Sequence, residues 1–241
     1  MKKLSEYITL NESEVGNLRP ANKKELKELI DRLIEERGPN CDLNDIDVSR
    51  VTDMSYMFAD SEFDGDISEW DVSHVRDMSY MFAWSQFKGD ISKWDVSRVE
   101  YMERMFANTE FSYDLSKWDV SRVKDMRGMF AYSLFNGDIS KWNVRRVESM
   151  SQMFDQSRFN KDISKWDVSS VKDMHHMFSE SEFTGDISKW DVSSVENMCS
   201  MFADTRFNGD LSRWDVSKVK DMEGMFENSP LEGKEPSWYK E

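Results

Sequence analysis

The sequence predicts an α/β repeat solenoid of eight 24-residue units, each with a short strand and a short outer helix, preceded by an N-terminal capping helix. Three observations support this fold class. A 24-residue pattern recurs without insertion or deletion, nearly every large apolar residue keeps one position within it, and residues 22–37 carry a separate helical pattern. One unit of this length cannot bury its own apolar face, so we expect stacked units to share a continuous core.

The repeat reads Asp-Val-Ser-x-Val-x-x-Met-x-x-Met-Phe-x-x-Ser-x-Phe-x-Gly-Asp-Ile-Ser-x-Trp. Its units begin at Asp47, Asp71, Asp95, Asp119, Asn143, Asp167, Asp191 and Asp215. We call equivalent positions of successive units a column. All fifteen phenylalanines and every methionine except Met1 fall in fixed columns, and eight of the nine tryptophans end the units. These columns are predicted to form the core, and Trp84 is the tryptophan that the repeat does not require.

Within one unit, Val51, Met54, Met57 and Phe58 have the spacing of an apolar stripe on a short helix. Ser49 precedes them and is the predicted N-cap. The Trp-Asp-Val segment, as in residues 70–72, alternates apolar and polar residues and predicts a very short strand. Between helix and strand we expect a turn, with positive φ at the glycines Gly65, Gly89, Gly137, Gly185 and Gly209.

Residues 22–37 place leucines and isoleucines on one helical face, and Asn22 with Glu25 forms a capping-box-like start. We expect this helix to cover the first core layer. The predicted organisation is a flexible leader over residues 1–20, the capping helix and lead-in over 21–46, and the solenoid over 47–238 with a degenerate last unit as cap. A short docking or targeting peptide is the alternative for the leader.

A repeat period in the low twenties, with a strand inside and a helix outside, is typical of leucine-rich repeats. Units such as WDVSHVRDMSYMFAWSQFKGDIS, residues 70–92, resemble the bacterial surface-antigen (BspA-like) leucine-rich repeats, also described as a domain of unknown function common in mycoplasmas and gut bacteria. The resemblance covers residues 41–238. It implies a leucine-rich-repeat-like solenoid and a role in adhesion or interaction, and many members are secreted. Related proteins encoded by phages of gut bacteria are similar.

The net charge of −15 argues against a nucleic-acid partner and against an anionic membrane surface. The two cysteines are far apart in sequence and are predicted to be free thiols. No apolar run follows the two N-terminal lysines, so we expect a cytoplasmic protein of the producing cell, with a phage particle as the alternative and the surface as the less favoured location.

No catalytic motif, cofactor or metal site is predicted. His175 and His176 are adjacent and would point apart on a helix, and no Cys/His cluster has zinc spacing. Calcium on the repeated aspartates stays open, since carboxylates suit it. We therefore expect a protein without enzyme activity.

The varying columns provide the candidate binding residues, because tyrosine, tryptophan and arginine are the types that dominate interface energies. These candidates are Trp84, Tyr132, Tyr56, Tyr80, Arg104, His175 and His176. The alternative surface is a predicted strand-face ladder in which lysines stand two residues before aspartates and offset their repulsion. Its members are Lys93, Asp95, Lys117, Asp119, Lys141, Lys165, Asp167, Lys189 and Asp191.

The sequence thus predicts a non-enzymatic protein that binds a macromolecule, with a protein as the favoured partner and a phage or a gut bacterium as a candidate source. Two alternatives stay open: a structural or decorating component of a phage particle or cell surface, and a glycan-binding adhesin.

Overall fold

The computed structural model describes residues 18–240, so most of the predicted leader, residues 1–17, lies outside the described residues. The described chain is a stack of coils, each formed by one 24-residue unit. Seven parallel bridges join one column in successive coils, from Asp53–Asp77 to Asn197–Asp221, and the Asp42–Asp66 bridge lies at the start of the stack. The coils are therefore in exact register with the sequence repeat.

A single helix, α1, spans Lys23–Arg37 and precedes the first coil. The Asn22 side chain accepts the Glu25 amide, as the capping-box spacing predicts. Leu26, Ile30 and Leu33 are buried and belong to the same core as the coils. The carbonyl of Leu18, just before α1, accepts the Asp47 amide at 2.8 Å, which ties this segment to the first unit. The helix therefore covers one end of the core.

The Met and Phe columns form the core, and this prediction is confirmed. One apolar cluster runs from Leu26 to Leu231, with Met and Phe residues of the inner coils at 0–1% exposure. The phenylalanines stack on their equivalents in the next coil, for example Phe58 on Phe82 with ring centroids 5.6 Å apart. Offset and tilted ring pairs at such distances add to the energy of burial.

The tryptophan column also joins the coils by hydrogen bonds. Each indole nitrogen donates to a main-chain oxygen 27 residues earlier, as Trp142 does to Leu115 at 3.0 Å. Trp70 through Trp214 are 3–4% exposed, whereas Trp238 in the last unit is half-buried. Each tryptophan thus contributes both apolar area and a polar link to the preceding coil.

The predicted strands are wrong. Trp70-Asp71-Val72 and its equivalents lack ladder pairing, and the pairing between coils among residues 18–240 consists of isolated bridges at other columns. Alternation over three residues is too short to specify a strand when the flanking residues form turns. The segment instead connects the turns at residues 68–69 and 73–74, with Trp70 and Val72 buried and Asp71 exposed.

The predicted outer helices are wrong as well, and α1 is the only helix between residues 18 and 240. Met57 donates its amide to the Met54 carbonyl at 3.3 Å, which closes a turn and brings residues three apart to one side, as a helix would. The amides of Met54, Tyr56 and Phe58 donate to the next coil at 2.8–2.9 Å. The α/β, leucine-rich-repeat-like solenoid is therefore corrected to a stack of bridged turns.

Aspartates organise these turns. In most coils three Asp columns, represented by Asp47, Asp53 and Asp66, accept the amide of the residue two positions later at 2.8–3.1 Å. These are Asx turns, which compete with helix and sheet hydrogen bonding. Ser49 donates to Asp47 and does not cap a helix. The Asp66 column keeps this turn in the following coils, where Asp90 and Asp114 accept the amides of Ser92 and Ser116 at 2.9 and 2.8 Å.

The glycines between Phe and Asp were expected at positive φ, and this is wrong: Gly65 and Gly89 have no left-handed backbone. The reason for glycine is space. A Cβ on Gly89 would lie 2.7 Å from the ring of Phe87, which folds over it, and one on Gly65 would lie 1.9 Å from the Cys41 oxygen. Tyr113 and Lys161 occupy the same column, so the clash can be relieved locally.

Candidate functional site

Two columns of each coil have left-handed backbone, and the side chains of both vary from coil to coil. We call them the left-handed columns. The first holds Tyr56, Tyr80, Arg104, Gly128, Gln152, His176, Ser200 and Gly224, with φ between 50° and 62°. The second holds Asp60, Trp84, Asn108, Tyr132, Gln156, Glu180, Asp204 and Asn228, with φ between 51° and 59°. Positive φ at the third residue of a turn is the signature of a type II turn.

The first two coils carry an aromatic cluster, which we define as Tyr56, Tyr80 and Trp84. The Tyr56 and Tyr80 rings stack with centroids 4.5 Å apart and planes 7° apart. The Trp84 and Tyr80 ring centroids are 6.2 Å apart, and the two ring planes are inclined by 24°. Tyr56 is 53% exposed and Trp84 41% exposed. The structure therefore brings three of the predicted binding residues together on the surface.

Charged groups border this cluster. The Tyr80 hydroxyl donates to Glu103 at 2.9 Å, and burial together with this carboxylate raises the pKa of Tyr80 to about 12. The Lys23 ammonium of α1 lies 5.7 Å from the Tyr56 ring centroid, within cation–π range. Lys23 also pairs with Asp53 at 3.3 Å. The N-terminal helix thus supports one edge of the aromatic cluster.

Arg104 lies next along the first left-handed column. Its guanidinium donates to the Gln152 side chain, two coils further on. A Cβ on Gly128, the intervening residue, would lie 2.9 Å from Arg104 Cγ. Because residue 128 is glycine, the space that the Arg104 side chain crosses to reach Gln152 stays free.

Tyr132 is two coils from Trp84 and does not join the aromatic cluster; it is 44% exposed. The charge of the Asp155 carboxylate, and then burial, raise the pKa of Tyr132. Burial, and then the charge of Glu180, raises the pKa of Asp155 to about 6. Sequence reasoning missed Asp155. Its signal was present, because Ala59, Ala83, Ala107, Ala131 and Ala203 occupy that column in other coils.

The two adjacent histidines make different contacts. His175 Nδ1 lies 2.8 Å from Asp173 Oδ1, and this hydrogen bond raises the pKa of His175. His176 stands in the first left-handed column, and burial lowers its pKa. The rings meet edge to face at 5.8 Å. They lie far along the stack from the aromatic cluster, so the seven predicted residues do not form one site.

The alternative lysine–aspartate ladder is not formed as predicted, because the strand face on which it depended does not exist. Asp95, Asp119, Asp167 and Asp191 accept serine amides at 3.0–3.2 Å. Among residues 18–240 they make no ion pair with the predicted lysines. Each of these lysines stands three residues after an aspartate of the Asp66 column. Hydrogen bonds from serine lower the pKa of that aspartate most, and the charge of the lysine lowers it further. These lysines are Lys93, Lys117, Lys141, Lys165 and Lys189.

Two further observations concern chemistry. Cys41 and Cys199 are free thiols, as predicted. In the described part of the chain no three His, Cys, Asp or Glu side chains are grouped as a metal ion would need, and no helix there is long and apolar enough to cross a bilayer.

The geometry defines a repeat protein of stacked turns with outward-facing variable columns. In agreement, the chain matches the model of a family described as "Mycoplasma protein of unknown function, DUF285" over residues 27–134, 107–182 and 132–238. The chain belongs to this family. Neither the curated proteins nor the solved structures gave a match.

Proposed function

We propose that this chain is a non-enzymatic binding protein that recognises a protein partner through the aromatic cluster. The observation that carries the proposal is the exposure of Tyr56, Tyr80 and Trp84 as a stacked group. The fold does not require these rings, because Asp60 and Asn108 occupy the column of Trp84 in the neighbouring coils. Exposed aromatic groups bordered by charged residues are frequent energetic centres of interfaces.

The scaffold suits such a role. Each left-handed column repeats one backbone geometry, while its side chains vary from coil to coil. The inter-coil hydrogen bonds hold these positions with little freedom, so less entropy is lost when a partner binds. Binding energy then depends on side-chain identity at a few positions.

We further propose that the repeats of this chain are related to the bacterial surface-antigen (BspA-like) repeats, whose members are thought to act in adhesion or interaction. A glycan partner is the second candidate, favoured by the Glu103 carboxylate beside the exposed rings. A cytoplasmic place of action, with a phage particle as the alternative, belongs to the same proposal.

The experiment is affinity capture from the native host with the wild-type chain and the variant Trp84→Asn. Asparagine stands in this column at Asn108 and tolerates left-handed backbone, so the variant should keep its Tm. The expected result is one stoichiometric protein that rebinds when purified and is lost with Trp84→Asn. The matched control is Tyr132→Asn in the same column, which should retain the partner.

Retention of the partner by Trp84→Asn at wild-type affinity would remove the aromatic cluster as the site. Binding to a glycan array without protein capture would replace the protein partner by the glycan candidate. Recovery solely within assembled particles would favour a structural role.

A further inference from the structure

A second surface lies on a different part of each coil. One outward column there holds Arg50, His74, Arg98, Arg122, Arg146, Ser170, Ser194 and Lys218. Five successive coils have a large basic or imidazole side chain in this column, and the next two have serine. Where the serines stand, a groove of about 900 Å³ opens, flanked in this column by Arg146 on one side and Lys218 on the other.

The groove is basic although the protein is acidic overall. Its lining contains five basic side chains and two glutamates, a local excess of three positive charges on a chain of net charge −15. The fifth unit is one source of this excess, because Arg145 replaces the repeated serine, and beside the groove Asn143 replaces the repeated aspartate. Departures from the repeat thus concentrate positive charge at one end of the groove.

The end groups are available for a ligand. Within the groove Lys172 pairs with Glu148 at 2.7 Å, and Lys124 pairs with Glu100 at 2.7 Å. Arg146 and Lys218 are exposed and make no ion pair within residues 18–240. Between them the lining offers the hydroxyls of Ser170 and Ser194, which are half-buried.

We propose that this groove binds an extended peptide segment of a protein partner with an acidic side chain at each end. Arg146 and Lys218 are three coils apart, which at strand-like spacing is about 14 Å. An extended peptide rises about 3.4 Å per residue, so acidic residues four positions apart match the two ends. This surface uses other columns than the aromatic cluster and does not depend on it.

The lining favours a peptide over a uniform polyanion. Glu148 and Glu196 stand within the groove, each paired with a lysine, so a chain with a negative charge at every unit would meet alternating signs and not a uniformly positive surface. No aromatic side chain lines the groove, so neither a nucleobase nor a sugar ring would find a stacking surface there. A peptide can place neutral residues opposite the glutamates.

The test is an NMR titration of the full chain with the capped peptide Glu-Ser-Gly-Ser-Glu. We expect shifts in the side-chain resonances of Arg145 and Arg146, and no shifts with the control peptide Gln-Ser-Gly-Ser-Gln. The variants Arg146→Ser and Lys218→Ser should each weaken binding about two- to fivefold. Serine occupies this column at Ser170 and Ser194, so both variants should fold.

The matched control is Arg98→Ser, in the same column but outside the groove lining, which should bind as the wild type does. Equal shifts with both peptides, or equal loss in Arg98→Ser, would overturn the proposal. A heparin hexasaccharide that shifts the same resonances at lower concentration than the acidic peptide would also overturn it, in favour of a sulfated glycan.

Discussion

The indole Nε1–H of Trp118 donates a hydrogen bond of 3.2 Å to the main-chain oxygen of Ile91, 27 residues earlier. The same oxygen accepts the Trp94 amide at 3.1 Å, which closes a turn in its own coil. One carbonyl group therefore joins the local turn to the following coil. Because this arrangement recurs along the stack, the tryptophan column holds neighbouring coils in register.

We expect Trp118→Phe to lower the free energy of unfolding by about 2 kcal/mol, through one lost hydrogen bond and the unfilled volume of the indole. The change should appear as a lower urea midpoint at unchanged slope. Trp238→Phe is the control: this indole makes the equivalent bond at 2.8 Å but is half-buried in the last unit, so its replacement should cost less. Equal losses would contradict the argument.

Asp155 should make stability depend on pH. Its folded pKa of about 6 lies above its ordinary value of 3.8, so the folded protein retains a proton that the unfolded chain releases between about pH 4 and pH 6. Stability therefore falls as pH rises through this window, by about 3 kcal/mol. Asp155→Ala restores the residue of five other coils and should remove this loss.

The measurement is the difference in unfolding free energy between wild type and Asp155→Ala at pH 4 and at pH 7.5. We expect the variant to be the more stable protein at pH 7.5, with the gap closing at pH 4. Other aspartates, such as Asp95, have lowered pKa values and the opposite dependence, which the difference cancels. A gap that is constant with pH would contradict the role of burial.

The sequence predicted the register, the buried columns and α1 because these depend on which residues repeat and how apolar they are. It did not predict the local backbone. An apolar residue at every third position, as at Met54 and Met57, fits a helix and a closed turn equally well. The choice is made by hydrogen bonds to residues 23 positions away, such as Tyr56 to Ser79, which no local pattern reveals.

The candidate site was predicted in part for the same reason. Variation identified Tyr56, Tyr80 and Trp84, yet their mutual stacking depends on left-handed backbone at non-glycine residues, which composition does not indicate. The lysine–aspartate ladder failed because it assumed a strand. Asp155 was missed because a single aspartate among alanines was read as one more acidic residue in an acidic chain.

At the left-handed columns, substitution by glycine should stabilise the folded protein, whereas glycine usually destabilises it. Ser200 has φ of 51°, and Gly128 and Gly224 occupy the same column. Ser200→Gly should raise the free energy of unfolding by up to about 1 kcal/mol, because glycine adopts this backbone without steric cost. Ser200→Val should lower it by about 1–2 kcal/mol. Chemical denaturation of the pair would refute the assignment if valine were tolerated as well as glycine.

Two glycines of one column should differ in their tolerance of alanine. At Gly65 the added Cβ would meet the Cys41 main-chain oxygen, whereas at Gly89 its nearest neighbours are ring atoms of Phe87. A side chain can move more easily than a backbone carbonyl, so we expect a loss of about 3 kcal/mol for Gly65→Ala and about 1 kcal/mol for Gly89→Ala. Thermal unfolding of both variants measures the difference.

In each coil, alternate amides such as those of Met54, Tyr56 and Phe58 donate hydrogen bonds to the following coil, and this arrangement has a mechanical consequence. A force applied to the two ends of the stack would load these bonds one coil at a time, because each coil is held mainly by its neighbours. Every coil released would add 24 residues of free chain, which is about 80 Å of length. The molecule would thus extend under tension in even steps of that size and yield without breaking all at once.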